Sequence, residues 1–372
     1  LLADRLASSV SKIHDRALLN DKLKIKIDRR SFLRINPQQT NDFTTEAISP
    51  MTAQTPKQTP KLIIHGGAGS SLQGKGGVAT VRAALYAILD EVYALLTGGG
   101  SAKDAVILGC RLLESNPLFN AGVGSVLQSD GQIRMSASLM DGTAQRFSGV
   151  MNVMRVEHPI EMAAKLQSER DRVLSDEGAA NFARELALPV FNPLTDKRLN
   201  EWLQDRQNDF ERTMANVVAE EQPATPEDPE AGRGTIGVVA LDSNGEIVAG
   251  TSTGGKGFER IGRVSDSAMP AGNYATKVAG ISCTGIGEDI IEECFAAKVV
   301  IRVTDGMTLA AAMEKSIAES TANKRDLGAI AIDATGAICW GKTSEVVLAA
   351  YHDGETKGDS LEAEPVSMSV AV

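Results

Sequence analysis

Histidine is scarce in this sequence, and its four copies, His14, His65, His158 and His352, lie far apart. No pair has the spacing of an HExxH helix, which argues against a catalytic zinc site. Cysteine is as sparse: Cys110, Cys283, Cys294 and Cys339 form no CxxC pair and no cluster. They read as reduced core thiols, and a cytoplasmic location is the expectation. Positive charge is not in excess. A formal charge of -10 speaks against nucleic acid as a partner, because phosphate binding relies on a basic surface. No apolar run approaches the roughly 20 residues of a membrane span, so no membrane partner is expected. The first residues lack the charged, apolar and small-residue order of a secretory signal.

What is present suits a globular enzyme-sized chain. Hydrophobic residues make up 42% and charged ones 23%, and 372 residues suffice for one large domain or two ordinary ones. No internal repeat stands out. Residues 1–60 carry a basic stretch (Lys22, Lys24, Lys26, Arg29, Arg30, Arg34) and then a polar run to Pro60, and read as a mobile extension. Asp4, Asp15, Asp21 and Asp28 set it apart from an acid-poor transit peptide.

Order is expected from Lys61, with a short strand to His65 running into the glycine-rich loop Gly66–Gly69. Val78, Val81, Leu85, Ile88, Val92 and Leu95 recur at steps of three and four, one face of a helix that ends at Gly98–Gly100. Ser101 can cap the next helix, which should end near Glu114. A loop over 116–122, strand-like pieces over 123–141, and helices to about 218 follow. Residues 219–233 are acidic, proline-rich and nearly without large apolar groups, the composition of a flexible linker. Thr235–Asp242, a Ser243-Asn244-Gly245 turn and Glu246–Thr251 make a hairpin. A helix over 288–304, another over 309–320, and a hairpin over 329–341 complete the pattern, with a loose tail after 351. Strands on both sides of a helical middle imply α and β layers with antiparallel sheets.

Three chemistries compete. Gly69–Gly76 follows a strand and precedes a helix like a phosphate loop, but Gly76 stands where a Mg²⁺-binding hydroxyl belongs. Gly250-Thr251-Ser252-Thr253-Gly254 matches GxSxG, yet glycines follow it instead of a helix, and only His352 lies downstream. The third is an N-terminal threonine. Cleavage of Gly234–Thr235 would free an α-amine beside the Thr235 hydroxyl, and its pKa of roughly 7.7–8.0 lets it act as the base. This chemistry needs no histidine.

Six segments occur in one order: His65–Gly69, Asn120–Ser125, Gly234–Gly237, Thr251–Gly255, Gly262–Ser267 and Ser282–Glu288. Together they resemble the motifs of plant-type L-asparaginases, also called isoaspartyl peptidases, over about 61–351. The resemblance implies an α+β fold, the four-layer αββα sandwich of N-terminal nucleophile hydrolases. It implies an α chain over 61–234, a β chain over 235–372, one domain formed by 61–351, and assembly as (αβ)2. Substrates would be L-asparagine and β-aspartyl dipeptides, with L-aspartate released and no cofactor in catalysis.

Residue by residue, the resemblance makes Thr235 the nucleophile, with cleavage between Gly234 and Thr235. Thr253 would orient the nucleophile, and Asn120 would place the attacking water or the Thr235 amine. Thr284 and Gly285 would form the oxyanion hole. Arg263 would grip the substrate α-carboxylate, and Asp266, assisted by the Gly287 carbonyl, the α-ammonium. Backbone carbonyls of Leu113, Glu114, Asn116, Phe119, Ala121 and Val123 would hold a structural sodium ion. Ile286, Lys256–Arg260, Arg325–Gly328 and Ser136 depart from the family pattern, which bears on substrate preference. Glycosylasparaginase-like activity, threonine endopeptidase activity, and nucleotide binding by the 69–76 loop are the alternatives.

Overall fold

Helices and strands alternate through the described residues, which are 57–69, 75–207, 234–361 and 369–370 of this computed structural model. The expected extension over 1–60 lies outside them apart from 57–60, as do the linker over 219–233 and positions 70–74. Residues 57–60 are held: Gln58 donates its backbone N–H to Ser243 O at 2.9 Å.

In chain order the elements are β1 Lys61–Gly69, α1 Gly77–Thr97, α2 Ala102–Glu114, β2 Met135–Asp141, β3 Arg146–Val153, α3 Pro159–Leu166, β4 Val173–Ser175, α4 Asp176–Glu185 and α5 Asp196–Gln207. After these come β5 Ile236–Leu241, β6 Ile247–Thr253, β7 Asn273–Ala275, β8 Ala279–Gly285, α6 Gly287–Glu293, α7 Phe295–Thr304, α8 Leu309–Ala322, β9 Leu327–Asp333, β10 Ile338–Lys342, β11 Val346–His352, β12 Lys357–Asp359 and β13 Ser369–Val370. They form a mixed helix-and-strand unit with two sheets. The larger runs β12-β11-β1-β5-β6-β2-β3-β4 and the smaller β13-β10-β9-β8-β7. Every pairing is antiparallel except β3 with β4.

The strand period of two explains the packing. On β5, Val238 and Ala240 join the core beneath α1 and α2, whereas Val239 and Leu241 join the core facing the smaller sheet. On β9, Ile330 and Ile332 meet that same inter-sheet core, while Leu327, Ala329 and Ala331 turn toward Phe295, Val299 and Met313 of α7 and α8. Both sheets are therefore apolar on two faces, so β5 and β9 read as continuous apolar runs. Each fully buried aliphatic side chain contributes roughly 1.5–3 kcal/mol relative to exposure.

Several sequence expectations change. The glycines at 66–69 are part of β1, with a register shift between His65 and Ala68 where Gly67 takes φ +124. Such a bulge needs a glycine. Of the strand-like pieces over 123–141, only Met135–Asp141 is strand, because 122–124 is a 3₁₀ turn. The helix expected over 288–304 breaks at Cys294, which adopts φ +47 and so divides it into α6 and α7. The tail expected to be loose after 351 instead adds the edge strand β12, pinned by a bidentate ion pair from Arg82 to Asp359. No described helix is long and apolar enough to cross a membrane.

Candidate active site

The β5–β6 ladder places Ile236 opposite Ser252, so the next rung sets Thr235 against Thr253 at the strand ends. There the Thr235 hydroxyl donates to Thr253 Oγ1 at 3.0 Å. Thr253 Oγ1 also accepts the Gly255 N–H at 3.2 Å, which fixes its rotamer. Both threonines are buried, at 7% and 2% exposure. A buried hydroxyl pair at the end of an interior ladder is a positioned one.

Asn120 ties this end of the ladder together. Its backbone N–H donates to Gly234 O at 3.1 Å, and its carbonyl accepts the Gly254 N–H at 2.9 Å. Its side-chain amide donates to Gly255 O at 2.6 Å, and its Oδ1 accepts the Val126 N–H at 3.0 Å. From the other side comes Gly67, where an added Cβ would stand 2.5 Å from Gly234 Cα. The Gly234–Thr235 peptide is thus enclosed by β1 and by the 120–126 loop.

Beneath Thr235 lies a polar chain that the sequence did not mark as functional. His65 Nε2 and Ser282 Oγ are 2.9 Å apart, and Ser282 Oγ lies 2.6 Å from Thr251 Oγ1. Burial pushes the His65 imidazole down to about 3, against the opposing pull of the Thr235 backbone. His65 is therefore neutral at working pH. Ser282 continues along β8 to Thr284, whose Oγ1 is buried with no hydrogen-bond partner among the described residues. Gly285 follows at φ +128. A buried unpaired hydroxyl is uncommon and marks a place for a polar ligand.

One residue beyond Ile286, Gly287 seats the second half of the site. An added Cβ there would lie 2.6 Å from Arg263 Nη2 and 2.8 Å from Asp266 Oδ1. Ser265 accepts the Ser267 N–H at 3.3 Å and opens the short turn 266–268 that turns Asp266 inward. Asp266 is buried, and burial raises its carboxyl to about 7 even though the Arg263 guanidinium pulls it down. Arg263 and Asp266 are not an ordinary surface ion pair. The Arg263 fork instead engages Glu288, Nε to Oε1 at 3.0 Å and Nη2 to Oε2 at 2.9 Å. Burial pushes the Glu288 carboxyl up, but the hydrogen bonds and charge of Arg263 outweigh it and hold Glu288 below its usual carboxylate range. The sequence reading missed Glu288 as the partner of Arg263, although it closes the very motif quoted for the oxyanion hole.

The competing chemistries fare worse. Ser252 lies fully buried within β6 and donates to Glu114 Oε1 at 2.6 Å, so it is no exposed nucleophile elbow. His352 stacks on Tyr93 with ring centroids 3.6 Å apart, at the far end of β11. In the loop between α2 and β2, the Leu113, Asn116 and Ala121 carbonyls accept the backbone N–H groups of Asn116, Phe119 and Gly124. Glu114 directs its side chain to Ser252 and the Ile160 N–H, leaving its carbonyl for the loop. Phe119 and Ala121 are buried there and Val123 is partly exposed. Among the described residues no cluster of acidic, histidine or cysteine side chains could hold a metal.

A match to the asparaginase family covers residues 58–362. The chain is 66% identical over 303 residues to an isoaspartyl peptidase/L-asparaginase of Nostoc sp., covering 82% of this chain and 95% of that protein. A Synechocystis sp. protein of the same description is 64% identical over 304 residues, 82% of this chain and 91% of its own length. A plant-type L-asparaginase of Pyrococcus horikoshii is 37% identical over 300 residues, covering 78% and 95%.

Proposed function

From the fact that this chain belongs to the asparaginase family, we infer that it cuts its own Gly234–Thr235 bond and then hydrolyses β-aspartyl dipeptides and L-asparagine, releasing L-aspartate. The observation that carries the reading is the buried Thr235 hydroxyl, paired with Thr253 at 3.0 Å beside a Gly234 carbonyl held by the Asn120 N–H. Once freed, the Thr235 amine takes the hydroxyl proton, and Oγ attacks the substrate side-chain carbonyl. The Thr284 hydroxyl and Gly285 N–H receive the developing oxyanion, and a donor in that place is worth about 10²–10³ in rate.

Arg263 binds the substrate α-carboxylate with the edge that Glu288 does not use. Asp266, ionised above about pH 7, receives the α-ammonium with help from the Gly287 carbonyl. Asn120 holds the loop that shapes the pocket and places the attacking water or the Thr235 amine. No cofactor enters the chemistry.

The two sheets with helices on their outer faces support the four-layer αββα reading, with 61–234 as α chain and 235–372 as β chain, two such units pairing as (αβ)2. The carbonyls of Leu113, Glu114, Asn116, Phe119, Ala121 and Val123 are hard oxygen donors suited to a structural sodium ion. All four cysteines are free, which supports a reducing, cytoplasmic setting.

Intact-mass measurement of purified protein tests the inference. The expected result is two chains, the second beginning Thr-Ile-Gly, and Thr235→Ala should remain one inactive chain. An uncut wild-type chain, or turnover by Thr235→Ala, would sink it. Parallel assays with L-asparagine and a β-aspartyl dipeptide rank the substrates.

A further inference from the structure

The segment 256–260 holds a buried acid that the chemistry above leaves unused. Glu259 is only 6% exposed, and its Oε2 has no hydrogen-bond partner among the described residues. Burying a carboxyl is costly unless its remaining contacts offset the loss of water, so the surroundings of Oε1 matter. Oε1 accepts the Lys256 N–H at 3.3 Å, with the Gln128 amide nitrogen at 3.5 Å. It also packs so closely on Gly255 that an added Cβ there would collide with it. Gly255 takes φ +91, which glycine adopts without strain.

The peptide group joining Gly255 to Lys256 is therefore gripped at both ends. Its oxygen accepts the Asn120 side-chain amide at 2.6 Å, and its N–H donates to Glu259. The N–H of Gly255 itself is the one that donates to Thr253 Oγ1 at 3.2 Å. One glycine thus links Thr253 and Asn120, and Glu259 is the side chain seated against it. An acceptor on the N–H of an amide polarises its carbonyl and strengthens the bond that the carbonyl accepts. Glu259 is anchored in turn: its carbonyl accepts the Ser129 N–H at 3.2 Å, and the Phe258 N–H donates to Leu127 O at 2.9 Å. Between those two rungs, Gln128 accepts Arg134 Nη1 on its side-chain oxygen at 2.8 Å and Trp202 Nε1 on its carbonyl at 3.0 Å.

We propose that Glu259 is a positioning residue for the nucleophile. By accepting the Lys256 N–H it fixes the Gly255 backbone, and the Gly255 N–H then sets the Thr253 hydroxyl that orients Thr235. This rests on the reading of Thr235 as the nucleophile. What the role requires is an acceptor oxygen at the end of a side chain of this length. Charge is not required. A glutamine supplies the same oxygen at the same reach, whereas an aspartate keeps the carboxyl but ends one methylene short, and a methionine fills the space without accepting.

The test compares wild type with Glu259→Gln, Glu259→Asp and Glu259→Met by steady-state kinetics on the cut fraction, with a melting curve for each. The expected result is a kcat lowered about tenfold in Asp and Met with KM within twofold, and a Gln variant within threefold of wild type. A folded variant that is cut at least about tenfold more slowly counts as the same loss, because the Thr235 hydroxyl also makes the cut. The loss should not multiply with that of Thr253→Val: adding Glu259→Met to it should cost at most about threefold more, since both act on one contact. Met and Asp variants with kcat within twofold of wild type would overturn the proposal. So would an active Asp beside a crippled Gln, which would make charge the requirement, or a double variant whose losses multiply in full. Should Met disturb the fold, Asp carries the comparison. Turnover by Thr235→Ala sinks the nucleophile reading and this inference with it, whereas an inactive Thr235→Ala beside unaffected Glu259 variants sinks the inference alone.

Discussion

The hydroxyls of Thr235 and Thr253 lie 3.0 Å apart at the open end of one β-ladder, and the Gly255 N–H fixes the second of them. As the proposed nucleophile, Thr235 is held by this contact with its hydroxyl already oriented before substrate arrives. Thr253→Val keeps the shape of the side chain and removes the acceptor. Its kcat should fall about 10²-fold with KM little changed, while Thr253→Ser retains most of the activity. Steady-state kinetics on the cut fraction decide this, and a Val variant within twofold of wild type would refute it.

Asp266 makes a pH prediction with a definite sign. Its carboxyl is raised from 3.8 to about 7, chiefly by burial. In its proposed role Asp266 binds the substrate ammonium in the ionised form, so 1/KM should rise through about pH 7 and then level off. For stability the order is opposite. A group whose folded pKa exceeds its unfolded one stabilises the fold below the unfolded value, and loses that contribution as pH rises through the folded value. Asp266→Asn should therefore be inactive, yet melt above wild type at pH 8, with the gap closing toward pH 5. Equal melting curves at pH 8 would contradict the burial argument.

Gly287 separates turnover from maturation. A methyl there would press on Arg263 Nη2 and Asp266 Oδ1 at once, whereas the Gly234–Thr235 peptide is enclosed by other residues. Gly287→Ala should be cut normally and lose about 10²-fold in kcat/KM. Mass spectrometry and kinetics on one sample give both readouts, and unimpaired turnover would show that the clamp tolerates the methyl.

Local physics was legible in the sequence. Steps of three and four residues marked α1, and Ser101 caps α2 as its type and place suggested, its hydroxyl accepting the Asp104 N–H at 3.1 Å. The β5–β6 hairpin announced itself by its Ser-Asn-Gly turn. What stayed hidden is long-range or sterically exceptional. Nothing local says that β1 pairs with both β5 and β11, because those partners lie far along the chain. The break at Cys294 escaped because a left-handed cysteine interrupts an unbroken apolar pattern. Within the site, the motif residues could be named, but nothing gave His65, at the end of a strand and the start of one motif, a role of its own. Its role beneath Thr235 depends on Ser282, more than 200 residues away, reaching it at 2.9 Å.

The strand order of the larger sheet has a consequence for the two chains that the proposed cut at Gly234–Thr235 would leave. β1, from ahead of the cut, lies between β11 and β5 from beyond it, and β6 in turn is bordered by β2. The two polypeptides are interleaved like alternate cards and cannot part without tearing the ladders between them. Dilution alone should never separate them. Recovery from denaturant is another matter: before the cut it is a first-order event, and afterwards two strangers must meet. Activity regained from urea should then depend on protein concentration for the proposed mature form and not for the precursor.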